Sequence, residues 1–135
     1  MLFRYEKLGV KPTILFSSLS FLMACAVTMD PAAIGPHPTN YRAAVKRYIE
    51  KTFFDPYSLR SVRLSIPREG HIFFQQGWIV CLEANAKNRF GAYTGLRRTA
   101  LLIRNDEVIG SSSGERLCDD PTLAFSRWEE LGSGK

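Results

Sequence analysis

The sequence has few of the residues that build metal and catalytic sites. Only two of its 135 residues are histidines, His37 and His71, and its three cysteines have no C-x-x-C spacing. Zinc sites need several such ligands at short spacings, so we predict no metal site and no cofactor. No glycine-rich loop ends in the G-K-[ST] of phosphate-binding loops, and we find no internal repeat.

A histidine is also missing where a serine hydrolase would need one. The stretch GSSSG, residues 110 to 114, matches the pattern G-x-S-x-G, with Ser112 at its centre. That pattern requires a helix directly after the serine and a histidine later in the chain. Here the residues ERLCDDP follow, and both histidines precede Ser112. We therefore predict a flexible loop, no catalytic residue and no enzymatic activity.

The N-terminal region has no apolar run long enough to span a bilayer. The first eleven residues, MLFRYEKLGVK, are basic, and PTILFSSLSFLMA then runs thirteen residues without a charge. A transmembrane helix needs about twenty residues. A basic start, a short apolar stretch and a small residue at its end are the layout of a secretory signal peptide. The alternative, an N-terminal core helix, should show a polar face that this stretch lacks.

The residues L-M-A-C at 22 to 25 resemble the lipobox of bacterial lipoproteins, with Leu22 and Ala24 at its characteristic positions. The resemblance implies that residues 1–24 are a lipoprotein signal peptide, and that Cys25 becomes the acylated, palmitate-bearing first residue of the mature chain. Several acyl chains, at about 0.8 kcal/mol per buried methylene, form a firm anchor. Ala26, in place of aspartate, implies the outer membrane. We expect an envelope protein facing the periplasm.

The mature chain would carry fifteen basic and twelve acidic residues, a formal net charge of +3. This mild charge does not call for a nucleic-acid partner. Residues 25–39 contain three prolines and a glycine without helical or strand periodicity, so they are predicted to be a flexible tether in which His37 is solvated. Residues 40–131 are long enough for one small domain.

Cysteine is scarce, and its count is informative. If Cys25 is acylated, Cys81 and Cys118 remain, and an even number in an oxidising compartment predicts a disulfide. The alternative is two buried thiols.

Hydrophobic periodicity predicts an α+β domain. Residues 39–54 have apolar positions at three- and four-residue steps and form the N-terminal helix, capped by Thr39 or Asn40. Period-two alternation follows in about four strands, which short connections arrange as an antiparallel sheet. Asp120-Pro121 opens a predicted short C-terminal helix over PTLAFSRWEEL.

The segment NAKNRFGAYTG, residues 85–95, joins two predicted strands and is long for a hairpin loop. One interpretation is a self-packed loop whose asparagines bind its backbone. The other is a recognition loop for an anionic or carbohydrate surface, with aromatic and basic side chains at Lys87, Arg89, Phe90, Tyr93, Arg97 and Arg98.

FFDPYSLR and GWIVCLEANAKNRFGAYTGLRR are similar to segments of a group of small exported proteobacterial proteins, which share D-P-x-S and N-A-K-N-x-x-G-x-Y-T-G. The resemblance implies a domain rather than a reaction. We expect a membrane-anchored lipoprotein whose domain binds an envelope protein or a cell-wall component. The alternatives are a small envelope hydrolase and an inhibitor of host lysozyme.

Overall fold

The computed structural model describes residues 28–113 and 116–128. The predicted signal peptide and Cys25 lie outside these ranges. Two α-helices come first, α1 at Pro31–Ile34 and α2 at Tyr41–Thr52, followed by a short 3-10 helix at Pro56–Ser58.

Six strands form one antiparallel sheet in the described part of the chain: β1 Arg60–Ser65, β2 Arg68–Ile72, β3 Gln75–Lys87, β4 Tyr93–Arg104, β5 Glu107–Ser113 and β6 Phe125–Arg127. The strand order is β5-β4-β3-β1-β6, and β2 also pairs with β3. The sequence prediction of an α+β class with an antiparallel sheet is confirmed. Its estimate of about four strands is too low.

The predicted C-terminal helix over residues 121–131 is wrong where it meets β6. Phe125–Arg127 pairs with β1, with Ser65 opposite Phe125 and Arg63 opposite Arg127. The backbone of β1 would otherwise present unpaired N–H and C=O groups along its edge, and β6 satisfies them. This tertiary pairing overrides the local helical pattern.

Strand β3 is the longest of the described strands and runs from one end of the sheet to the other. β1 and β2 pair with successive parts of one edge of β3, and β4 pairs with its other edge. Thirteen residues at about 3.3 Å each give β3 a length of roughly 40 Å. We call the end at the β2–β3 turn, Phe73 and Phe74, the tip end. We call the end at the β3–β4 loop, residues 88–92, the loop end.

The two faces of the sheet bury separate hydrophobic clusters. On the first face α2 contributes Val45 and Ile49, which pack on alternate strand residues: Leu64, Val80, Leu82, Ala84, Leu101 and Ile103. The second face is covered by the segment around Cys118, and its cluster comprises Ile72, Ile79, Cys81, Ala100, Leu102 and Cys118. Period-two alternation along β3 and β4 is therefore what divides the apolar residues between the two faces.

A disulfide joins Cys81 to Cys118, as predicted, with their Cα atoms 5.7 Å apart. Cys81 lies in the middle of β3, and Cys118 lies on the segment that covers the second face. Both cysteines are fully buried. The bridge holds the 116–125 segment on the sheet.

The N-cap residue of α2 is Asn40, one of the two predicted, and the β4–β5 turn holds it in place. The side chain of Asn40 makes no capping hydrogen bond. Its backbone N–H instead donates to Asp106 Oδ1 at 2.8 Å, and the Thr39 hydroxyl lies 3.3 Å from Asp106 Oδ2. Asn105 and Asp106 both have positive φ, as in the type I′ turn of a two-residue hairpin. The turn therefore closes the hairpin and fixes the start of α2.

The described part of the predicted tether, residues 28–39, packs against the sheet. Asp30 caps α1, and Ile34 is buried. The Trp78 indole donates to the Gly35 carbonyl oxygen at 3.1 Å, and the His37 ring stands edge-on to Trp78. Gly35 and His37 are distant from Trp78 in sequence, so local composition did not reveal these contacts.

Candidate binding surface

The β3–β4 loop is shorter than the sequence predicted. β3 extends to Lys87 and β4 begins at Tyr93, with a register shift between Asn85 and Lys87. Only residues 88–92 form the loop, because the two strands continue into the predicted eleven-residue segment.

Both asparagines bind the backbone, which agrees with the self-packed interpretation. Asn88 Oδ1 accepts hydrogen bonds from the backbone N–H groups of Phe90 and Ala92, each at 3.0 Å. Asn85 Oδ1 accepts from Gly95, also at 3.0 Å. Gly95 has a φ of 88°, a conformation that glycine adopts without steric cost.

We predict that Asn88→Ala lowers the free energy of unfolding by about 1 kcal/mol, because two loop N–H groups lose their acceptor while water can still reach them. The measurement is thermal unfolding beside that of Asn88→Asp, which retains an acceptor oxygen. Equal melting temperatures for Asn88→Ala and the parent would show that the asparagine does not hold the loop.

Tyr93 supports the loop rather than projecting from it. Its hydroxyl donates to the Ser58 carbonyl oxygen at 3.0 Å, and the Arg60 guanidinium lies 4.1 Å from the ring centroid. Lys87 lies on the same ring, 5.4 Å from the centroid, and forms an ion pair with Asp55 at 3.4 Å. These contacts join the 3-10 helix to the start of the loop.

Two of the predicted recognition residues, Arg89 and Phe90, are exposed at the loop end. Phe90 is 95% exposed. The contacts of Ser58 and Asp55 bring the segment around the 3-10 helix to the same end, where Tyr57 is 89% exposed. We call Tyr57, Arg89 and Phe90 the loop-end surface. The sequence did not place Tyr57 at this end because its position depends on the packing of the 3-10 helix.

Arg97 and Arg98 are successive residues of β4. Arg97 pairs with Ala84 across β3 and β4, whereas Arg98 pairs with Glu83. Successive strand residues point to opposite faces, so these two side chains lie on opposite sides of the sheet. The alternation of side chains along a predicted strand is sufficient to indicate this separation from the sequence.

Arg98 belongs to an ionic cluster on the second face. Its Nε donates to Glu83 Oε2 at 2.9 Å, and its Nη1 pairs with Asp119 at 2.8 Å. Arg63 Nε donates to the other carboxylate oxygen of Glu83 at 2.8 Å, and Arg63 Nη2 also contacts it. Both guanidinium groups lie within 6 Å of the Phe125 ring centroid.

Glu83 is the one buried charged side chain among the described residues. Burial by itself raises the pKa of its carboxyl group, but the hydrogen bonds and charges of Arg63 and Arg98 outweigh burial, and the pKa is lowered. A carboxylate held ionised by two guanidinium groups is poorly suited to donate a proton. The sequence signal for this residue is a lone acid in the apolar run WIVCLEA.

An open depression of about 430 Å³ lies beside this cluster, with Leu96 and Arg127 on its lining. Leu96 is exposed, so the depression offers an apolar side chain next to guanidinium groups. Its chemistry suits a small anionic group, although Glu83 already neutralises part of the positive charge.

Ser112 lies within β5 rather than at a strand-to-helix turn, and its hydroxyl is 3.5 Å from the carbonyl oxygen of Ser113. Residues 28–113 and 116–128 contain no group of three or more His, Cys, Asp or Glu side chains placed to hold a metal ion. No helix within these ranges is sufficiently long and apolar to cross a membrane.

Comparison with known proteins gives no relative from which to transfer a role. No protein-family model matches the chain, and neither the curated proteins nor the solved structures contain a match.

Proposed function

We propose that this protein is a lipid-anchored lipoprotein of the bacterial envelope whose domain binds a partner without catalysis. The basic start, the short apolar run and the L-M-A-C sequence support the anchor at Cys25. In this proposal the acyl chains lie in the outer membrane and the domain faces the periplasm.

The position of the loop-end surface relative to the anchor is the main support for a binding role. The first described residue, Thr28, is bound at the tip end, where its carbonyl oxygen accepts from the Gln76 side chain at 3.2 Å. Phe90 and Tyr57 are exposed at the other end of β3, roughly 40 Å away. An anchored domain of this shape would present the loop-end surface away from the membrane.

The chemistry of that surface supports a particular class of partner. Aromatic rings stack on sugar rings and on apolar protein surface, and Arg89 provides a cation for carboxylate or phosphate groups. Tyr93, Lys87 and the loop asparagines hold the surface in place from below. We therefore propose an anionic cell-wall glycan or an acidic envelope protein as the partner.

We predict that Arg89→Ala and Phe90→Ala each weaken partner binding about tenfold and shift the melting temperature little, because exposed anchors contribute to interfaces and not to the core. The measurement is crosslinking in cells followed by pull-down, together with sedimentation with purified cell-wall material. Thermal unfolding of each variant tests that its fold is intact.

Two variants on other surfaces are matched controls. Lys51→Ala removes an exposed cation from the side of α2 that faces β5, and Ile66→Ala removes an exposed apolar side chain after β1. Both controls should retain every partner. If Arg89→Ala and Phe90→Ala also retain every partner at parental strength, the loop end is not the binding surface.

A further inference from the structure

Two adjacent phenylalanines form the turn between β2 and β3. Ile72 pairs with Gln75, so Phe73 and Phe74 are the two residues of a hairpin loop. Phe73 is 80% exposed and Phe74 is fully exposed. Two aromatic side chains are thus exposed to solvent at the tip end of the molecule.

The conformation of the β2–β3 turn does not explain why phenylalanine occupies both of its positions. Phe73 has a φ of +54°, a left-handed conformation that strains a bulky side chain. Two-residue hairpin turns are ordinarily made by glycine, asparagine or aspartate, which adopt positive φ at low cost. The β4–β5 turn of this chain follows that rule with Asn105 and Asp106. The phenylalanines at the β2–β3 turn therefore stand where folding alone would favour other residues.

The N-terminal segment is fastened next to this turn. The Gln76 side-chain amide donates to the Thr28 carbonyl oxygen at 3.2 Å, and its own oxygen accepts from the backbone N–H of Asp30 at 2.7 Å. Arg104 donates to the Gln76 carbonyl oxygen. Gln76 lies two residues after Phe74, so Thr28 is held close to the two rings.

Thr28 is three residues after Cys25, and three residues of extended chain reach at most about 11 Å. An acyl chain on Cys25 would therefore place the bilayer surface within this distance of the tip end. His71 and Arg116 line a depression beside Phe73, where they would face lipid headgroups.

We propose that Phe73 and Phe74 insert into the bilayer beside the acylated Cys25, as a second contact that fixes the orientation of the domain on the membrane. This inference rests on the proposed lipid anchor. The apolar face of an interfacial helix enters the boundary between headgroups and acyl chains at a depth of roughly 5–10 Å, and two exposed phenylalanine rings offer a small apolar surface of the same kind. The β2–β3 hairpin then stands upright, and the loop-end surface points away from the lipid.

The test uses the full-length protein, acylated in cells and reconstituted into vesicles of phosphatidylcholine with brominated acyl chains. A Phe74→Trp variant places an indole at the tip end, and Phe90→Trp, at the loop end, is the matched control. The parent protein gives the background from Trp78 and Trp128. Bromine quenches only an indole that enters the lipid.

We expect brominated lipid to remove most of the added emission of Phe74→Trp, with a shift to shorter wavelength, and to leave that of Phe90→Trp unchanged. Flotation of the parent protein with the vesicles reports the anchor separately. If the parent floats but Phe74→Trp is not quenched, the inserted tip is overturned and the anchor stands. If the parent is neither acylated nor floats, both proposals are overturned.

A Phe73→Gly variant distinguishes membrane contact from a structural role. Glycine accepts positive φ, so this variant should melt at or above the parental temperature. A clear fall in its melting temperature would show that the ring is part of the fold and would contradict insertion. A shift of Phe74→Trp to shorter wavelength without bromine quenching would indicate contact with protein, including a second copy of the chain, and would also overturn the proposal.

Discussion

Replacing both Cys81 and Cys118 by alanine is expected to lower the free energy of unfolding by about 4 kcal/mol. The disulfide closes a loop with a sequence separation of 37 residues, and the chain-entropy relation gives about this value for such a loop. For a domain of this size, 1 kcal/mol corresponds to roughly 4–8 °C in melting temperature, so a fall of roughly 15–30 °C is expected.

The mechanism is a gain of freedom in the unfolded chain, together with release of the 116–125 segment from the second face. Thermal unfolding of the double variant measures the effect, and the parent protein treated with a reducing agent is the control. Both should melt at similar temperatures. A double variant that melts within a few degrees of the oxidised parent would show that the bridge contributes little.

The second large effect is expected at Glu83. Glu83→Gln should lower the free energy of unfolding by about 2 kcal/mol at pH 7, because Arg63 and Arg98 lose the carboxylate to which they donate. Water reaches both guanidinium groups, which keeps the loss below that expected for a fully buried pair. The expected fall in melting temperature is roughly 10 °C.

The pH dependence follows from the lowered pKa of Glu83. Its stabilising contribution is fully present above the ordinary value of 4.5 and is lost as the pH falls through the lower pKa of the folded state. The parent and Glu83→Gln should therefore differ most at neutral pH and converge in acid. Denaturant unfolding between pH 2 and about 7 tests this, with the exposed Glu107→Gln as the control. A difference that stays constant with pH would contradict the assigned charge interaction.

Local patterns in the sequence were sufficient for much of the fold. Three- and four-residue spacing predicted α2, and alternation predicted the sheet strands because each face of β3 and β4 packs on its own cluster. Counting cysteines predicted the Cys81–Cys118 bridge. These features depend on short-range periodicity or on the redox compartment, both of which can be inferred from a single sequence.

The features that the sequence did not reveal depend on distant contacts. β6 forms because β1 would otherwise have an unpaired edge. The predicted tether packs against the sheet because the Trp78 indole donates to the Gly35 carbonyl oxygen and its ring contacts that of His37. In the candidate site, Arg89 and Phe90 are exposed, which the recognition-loop interpretation requires, but the sequence could not show that Tyr93 is turned toward Ser58. It also grouped Arg97 with Arg98, although strand alternation separates them.

The proposed location, orientation and partner class all depend on the lipid anchor at Cys25. The most direct measurement is metabolic labelling with palmitate, followed by separation of the precursor from the processed chain. We expect label on the parent protein, none on Cys25→Ser, and accumulation of the uncut precursor in that variant. Palmitate label on Cys25→Ser, or processing of that variant to the parental size, would contradict the lipid anchor at Cys25.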